Sequence, residues 1–471
     1  MRYADAVRIG CAAVLFFANG ASIVQAQAGR YRAGAAKVDI TPSPSQLLVS
    51  TDSIRDRLFV RAIVVDNGSV CAVLVSVDGN ASDGAVKKAI SESSLSTKCA
   101  AVNYIVAGTH SHSASTGGSP GTRGFPNDET VTDAIVKAAD LAKTKLAPAR
   151  VGYGTATLDL NVNRDLFNSK QEWRQAPNPD GISDKTLSVV EFVGADDVPI
   201  GVYINYAMHP IMFYLSGVIS ADFPGEAARY VEELFDGKSV AVFTQGASGD
   251  QNPKLWMSPS NIVPMRAFYS EGNTPPAQKV GPPPVRPQSS DRAREAIPPQ
   301  NLDAYRKAIA RTGDYVSMLG QMIGSTALGL MRDDIVPVDT GVIWGGQQRF
   351  TCPGRQRLDA ANPARENVFP GYTEGPDVEI KVGLLRLGDI NFVSVNGEVY
   401  SKIGLRLKQT APANKTIIST LSNGSANSGY IYSDDAYSHL TFQVIGSRLN
   451  PGCAEGKIIE NAIELMRKSG Q

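Results

Sequence analysis

A chain of 471 residues can bury one large domain or two ordinary ones. Hydrophobic residues make up 42% and charged residues 20%, the composition of an ordinary globular protein. The 46 basic and 46 acidic side chains cancel. No Lys/Arg block or stripe offers nucleic acid an electrostatic foothold, so nucleic-acid binding is set aside as a function class.

Taken in chain order, the first element is a leader. Arg2 and Arg8 accompany an apolar run at residues 9–17, followed by the small-residue cleavage candidates Val24-Gln25-Ala26 and Ala26-Gln27-Ala28. That is the pattern of a signal peptide over residues 1–28, leaving a domain at 29–471 and predicting export to the periplasm or outside the cell. The run is too short to span a bilayer comfortably. Cys11 would leave with the leader, and Cys71, Cys99, Cys352 and Cys453 would remain. Four cysteines allow three complete pairings, and buried free thiols stand beside them as a further reading.

Short β-branched runs predict buried strands at residues 59–65, 71–77, 101–106, 188–193, 200–206 and 239–243. Helical patterns lie at 85–90, 131–146 and 225–235. The alternation predicts an α/β domain with a mixed sheet. Prolines then crowd about 258–300, which reads as a long irregular insertion, either a surface loop or a flap beside the active site. A helix at roughly 303–330, a strand-rich portion from Ile335 and an amphipathic helix at 457–466 complete the chain.

The chain has four histidines, and three fall at the ends of predicted strands. His110 and His112 lie in Gly108-Thr109-His110-Ser111-His112-Ser113, and His209 lies in Asn205-Tyr206-Ala207-Met208-His209-Pro210. Ligand sites in α/β sheets gather at the carboxyl ends of strands. Alternate residues of an extended segment share a face, so His-x-His can offer two imidazoles to one locus. Imidazole and carboxylate are the ligands zinc prefers. The stretch Gln245-Gly246-Ala247-Ser248-Gly249-Asp250-Gln251-Asn252-Pro253 follows another strand, where small residues let a substrate approach free backbone N–H groups. His439 either lines the same pocket or caps a turn.

Several of these segments, in this order, resemble the neutral (non-lysosomal) ceramidase family. They are Ala36-Lys37-Val38-Asp39-Ile40-Thr41-Pro42, the His110 and His209 segments, Asn161-Val162-Asn163-Arg164, the turn Gly246 to Pro253, Asn396-Gly397-Glu398, and Gly429-Tyr430-Ile431. The resemblance implies one catalytic zinc per chain, held by His110, His209, Glu398 and Tyr430. His112 and Arg164 match family residues that contact the substrate and stabilise charge, and Asp222 resembles a supporting position. Two departures stand out. Asn252 occupies the family's serine position, and Phe442 replaces an expected tyrosine. The family's further C-terminal β-sandwich domain has no counterpart before Gln471.

The resemblance implies hydrolysis of an amide in a small-molecule or lipid-like N-acyl substrate by a zinc-activated water, with at most transient membrane contact. His112 would act as general acid or base, while Arg164, Asn252 and the amides near Gly249 would hold the oxyanion. Two alternatives stay open: a zinc hydrolase of a non-ceramide ester or amide, and a non-catalytic zinc- or ligand-binding envelope protein.

Overall fold

The computed structural model describes residues 27–116, 124–254, 296–362 and 364–470, together with Trp256, Met265, Arg266 and Tyr269. The expected leader lies outside these residues except for Gln27 and Ala28, as does most of the Pro-rich stretch. Among the described residues no helix is long and apolar enough to cross a membrane.

The apolar runs form strands at Phe59–Asp66, Cys71–Val77, Thr186–Gly194, Pro199–Tyr206 and Val240–Gln245, each within two residues of expectation. One run differs. Ala101–Asn103 is a 3-10 turn, and the strand runs Tyr104–Gly108 instead. The Asn103 side chain donates to the Cys71 carbonyl at 2.9 Å, which fixes that turn against the neighbouring strand. The first internal helix, Asp83–Thr97, is far longer than its apolar pattern, because its second half is mostly polar. Ser82 Oγ accepts from Ala85 N–H at its start, and Asn127 Oδ1 accepts from Thr130 N–H at the start of Asp128–Thr144.

The mixed sheet is eight-stranded but consists of two halves. Arg32–Asp39, Phe59–Asp66, Cys71–Val77 and Tyr104–Gly108 form one, and Ala147–Thr157, Thr186–Gly194, Pro199–Tyr206 and Val240–Gln245 the other. Only two residue pairs join them, Arg32 with Pro148 and Ala33 with Ala147. A separate five-stranded sheet contains Thr340–Arg357, Tyr372–Leu387, Ile390–Val395 and Thr416–Ser419, with Ala28–Arg30 at its edge.

The inner strands of each piece, such as Cys71–Val77, Pro199–Tyr206 and Ile390–Val395, bury both faces, which is why they read as nearly continuous apolar runs. One face of each enters a shared central core: Ile63, Val65 and Leu74 from the first, Val190, Phe192 and Tyr203 from the second, and Leu385, Ile390 and Phe392 from the third. The opposite faces are covered by helices. Asp83–Thr97 and Asp128–Thr144 cover the first piece, Asp222–Leu234 and Pro299–Asp333 the second, and Ser401–Thr410 and Ala454–Lys468 the third. Gly201 marks how closely the halves approach, since a Cβ there would lie 2.8 Å from Ile63 Cδ1.

The cysteines form two disulfides, Cys71–Cys99 and Cys352–Cys453. The first ties a central strand to the end of helix Asp83–Thr97, and the second ties Thr340–Arg357 to the start of the C-terminal helix.

Candidate metal centre

Each sheet piece ends at the same place, and each delivers a side chain to it. His110 follows Tyr104–Gly108, His209 follows Pro199–Tyr206, and Glu398 follows Ile390–Val395. Strand alternation is not what unites His110 and His112. The strand stops at Gly108, and His110 adopts φ 66°, the left-handed region that costs a non-glycine residue roughly 1–3 kcal/mol. This turn brings the two Nε2 atoms within 3.3 Å.

Glu398 lies between two imidazoles. Its Oε2 is 3.2 Å from His110 Nε2 and 3.3 Å from His209 Nε2. Glu398 pairs in parallel register with Tyr430, on the short ladder of Glu398–Val399 and Tyr430–Ile431. That register sets the phenol beside the carboxylate. The Tyr430 and His209 ring centroids are 6.3 Å apart. The ligand atoms of His110, His112 and His209 all lie within 4.8 Å of one another.

Both proposed imidazole ligands are oriented from behind. His110 Nδ1 meets Asn80 Oδ1 at 2.8 Å, and His209 Nδ1 meets the Ser248 carbonyl at 2.7 Å. With each Nδ1–H donating to an oxygen, each Nε2 presents its lone pair inward. His209 Nε2 is buried and makes no hydrogen bond. In a tetrahedral site with bonds of about 2.0–2.1 Å, ligand atoms stand roughly 3.3 Å apart. The 3.2 and 3.3 Å separations round Glu398, the unbonded His209 Nε2 and the nitrogen–oxygen donor set therefore fit a zinc ion.

Charge in the site follows from burial and contact. Burial pushes His209 down to about 3, and the Arg164 charge acts in the same direction. Burial alone would raise Glu398, but His110 and His209 outweigh it and hold the carboxyl well below its usual range. His112 keeps solvent access on one side, while crowding by protein on its others, together with His110 and His209, lowers it well below the usual imidazole value. Burial, and then the Glu398 charge, push the Tyr430 phenol up.

Arg164 is fully buried beneath this cluster. Its Nη2 donates to the Gly249 carbonyl at 2.6 Å and its Nη1 to Asn252 Oδ1 at 3.1 Å, with the guanidinium 5.4 Å from the Tyr430 ring centre. Burial opposes its charge, but Tyr430 and Glu398 favour it and the balance is upward. Because arginine only donates, it fixes which end of the Asn252 amide faces it, and the NH2 end turns away.

The expectation of free amides near Gly249 is corrected. Gly249 N–H donates to the Val399 carbonyl at 2.8 Å, and Gln251 N–H donates to that of Ser248 at 3.0 Å. The turn is packed on the Glu398 strand: the Gly249 amide holds it there, and the Gln251 amide closes the turn on itself. Ser248 contributes its carbonyl to His209.

Asp222 touches neither histidine ring. Its carboxylate accepts from Met212 N–H and Phe223 N–H, at 2.8 and 2.7 Å, and so braces the turn after His209. Burial pushes Asp222 up to about 7. His439 caps a 3-10 turn through its N–H to Ala436. Its Nδ1 is 3.0 Å from Asp165 Oδ2 and its ring stacks on Trp173 at 3.9 Å. Phe442 meets the Tyr430 ring edge-on at 5.7 Å. Asn80 and Trp173 had no place among the expected site residues, and Ser248 entered only as part of the Gly-rich turn. The Asp78-Gly79-Asn80 turn at the end of a wholly buried strand was the one available signal for Asn80.

Residues 31–264 match the family model described as neutral/alkaline non-lysosomal ceramidase, N-terminal. The chain belongs to this family. The neutral ceramidase of Pseudomonas aeruginosa is 30% identical over 258 residues, covering 49% of this chain and 38% of that protein. The neutral ceramidase of Drosophila melanogaster is 25% identical over 264 residues, covering 48% of this chain and 36% of its own. The matched stretch thus spans less than two-fifths of these relatives. The crystal structure of the Pseudomonas aeruginosa neutral ceramidase superposes with a TM-score of 0.64 at 16% identity, over 93% of this chain and 75% of that one. At that identity the likeness speaks for the fold alone, and its coverage carries that fold well past the family match.

Proposed function

We propose that the chain is an exported zinc-dependent hydrolase that cleaves the amide bond of an N-acyl, lipid-like substrate. The observation that carries this reading is Glu398 Oε2 standing 3.2 and 3.3 Å from two imidazole nitrogens that are each oriented from behind. His110, His209, Glu398 and Tyr430 would hold the ion. Bound zinc supplies a Lewis acid that polarises a carbonyl and lowers the pKa of water to about 7.

The protein's own groups handle protons and charge. His112, kept neutral and partly open to solvent, accepts a proton from the attacking water and returns it to the leaving amine. Asn252 Nδ2, turned away from Arg164, donates to the oxygen on which charge develops. Arg164 holds Asn252 in that orientation and adds a fixed positive charge behind it. Asn252 and Phe442 exchange no protons. They favour a second reading, in which the same centre acts on a non-ceramide amide or ester.

Removing the metal with a chelator should abolish hydrolysis, and zinc should restore it. His209→Ala should lose both zinc and activity, whereas Asn252→Ala should keep zinc and lose about 10²-fold in kcat. Metal-free protein that hydrolyses a panel of N-acyl lipids, amides and esters at the full rate would refute the mechanism. Stoichiometric zinc with no turnover across that panel would leave a binding protein instead.

A further inference from the structure

We propose that Asn80 is the positioning residue that sets His110 for metal binding, from a turn anchored by buried Arg61. The inference rests on the zinc reading above. It adds Asn80 and Arg61, to which neither the sequence resemblance nor the proton and charge steps above give a role.

The link to the ligand is direct. Asn80 Oδ1 receives the Nδ1–H of His110 at 2.8 Å, so the opposite nitrogen keeps its lone pair facing Glu398. A second bond fixes the backbone, as His110 N–H donates to the Gly79 carbonyl at 2.9 Å. Gly79 N–H in turn donates to Thr109 Oγ1 at 3.0 Å. Gly79 has φ 104°, and a Cβ there would lie 2.8 Å from that of Ala114. The two facing turns, one carrying Asn80 and the other His110, therefore fit each other in one arrangement.

The Asn80 turn is itself anchored. Asp78 Oδ2 accepts from Phe59 N–H and from Arg61 Nη1, each at 2.8 Å. Arg61 is 2% exposed, and its Nε donates to Glu232 Oε1 at 2.9 Å. Glu232 also accepts from Lys37 Nζ at 2.6 Å and from Ala241 N–H at 3.2 Å. Removing one partner of such a buried, ion-paired set leaves a desolvated charge, so the set holds a single geometry. Glu232 belongs to helix Asp222–Leu234, whose first residue braces Met212, three positions after His209. One helix thus supports both histidine turns. An amide at position 80 orients His110 without adding a second carboxylate beside Glu398.

Asn80 is exposed, so substitutions there leave the core untouched. The test measures zinc dissociation constants by chelator competition for the wild type, Asn80→Ala and Asn80→Asp, with melting temperatures of the metal-free proteins alongside. Asn80→Ala should bind zinc about 10–100-fold more weakly at an unchanged metal-free melting temperature. Asn80→Asp, which keeps the acceptor, should recover wild-type affinity or exceed it. An alanine variant as tight as the wild type, an aspartate variant as weak as alanine, or a loss accounted for by a lower metal-free melting temperature overturns the assignment. Wild-type protein that holds no zinc overturns the metal reading itself, and so is distinguishable from failure of the Asn80 role.

Discussion

Individual residues in this protein take their chemistry from what surrounds them. His209 and Glu398 have ordinary intrinsic acidities, yet burial pushes the first down to about 3, while His110 and His209 hold the second well below its usual range against its own burial. Glu191 shows the cost of lacking such company. It is 4% exposed in Thr186–Gly194, and burial pushes its carboxyl up to about 7, against a smaller opposing effect of Arg150. The folded chain then keeps a proton that the unfolded chain has lost, so stability falls as pH rises from about 4.5 to about 7 and levels off above that. The span corresponds to on the order of 3 kcal/mol. Urea unfolding of wild type and Glu191→Gln at pH 5 and pH 8 should show the glutamine variant gaining relative stability at pH 8. An equal difference at both values would show that Glu191 does not titrate in this window.

Among the elements, the turns after the strands matter most for the site. Gly246 to Asn252 lies against Glu398–Val399 so closely that a Cβ on Gly249 would come within 3.0 Å of the Glu398 carbonyl oxygen, the Val399 carbonyl carbon and Tyr400 Cδ1. Two of these three atoms are backbone and cannot swing aside. Gly249→Ala should therefore push the Glu398 strand away from His209, costing about 1–3 kcal/mol in stability and weakening zinc retention. Denaturant unfolding combined with metal analysis would check this, and an alanine variant with full zinc content would show that the strand has room to move. The left-handed turn at His110 belongs to the same class of feature, as local backbone strain is held at the functional position by the turns packed around it.

Across the whole molecule, three sheet pieces share one core and deliver one ligand segment each, so anything that loosens their assembly loosens the site. The two disulfides act at this level. Cys71–Cys99 closes a separation of 28 residues and Cys352–Cys453 one of 101. Loop entropy makes the longer one worth more, roughly 4.7 kcal/mol against about 3.5. Replacing both members of each pair by serine should destabilise the protein in that order in guanidinium unfolding. Equal losses would mean that strain or residual denatured-state structure dominates.

How much of this was legible beforehand follows from the physics of each feature. Runs such as Cys71–Val77 declare themselves because a strand buried on both faces must be apolar almost throughout, and that is a local property of the chain. The histidines at strand ends were legible too, because each interrupts the chain just past such a run. The sequence alone therefore determined the α/β class, most of the strands and the strand-end histidines as candidates, while Glu398 and Tyr430 came only through the family resemblance. Tertiary structure decided that residues 288 positions apart, His110 and Glu398, meet at one oxygen. It also decided which cysteines pair, that Gly249 gives its amide to a neighbouring strand, and that Asn80 backs His110. None of these leaves a periodic trace, because each depends on how separately folded pieces pack, and packing is set by shape and burial across the whole core.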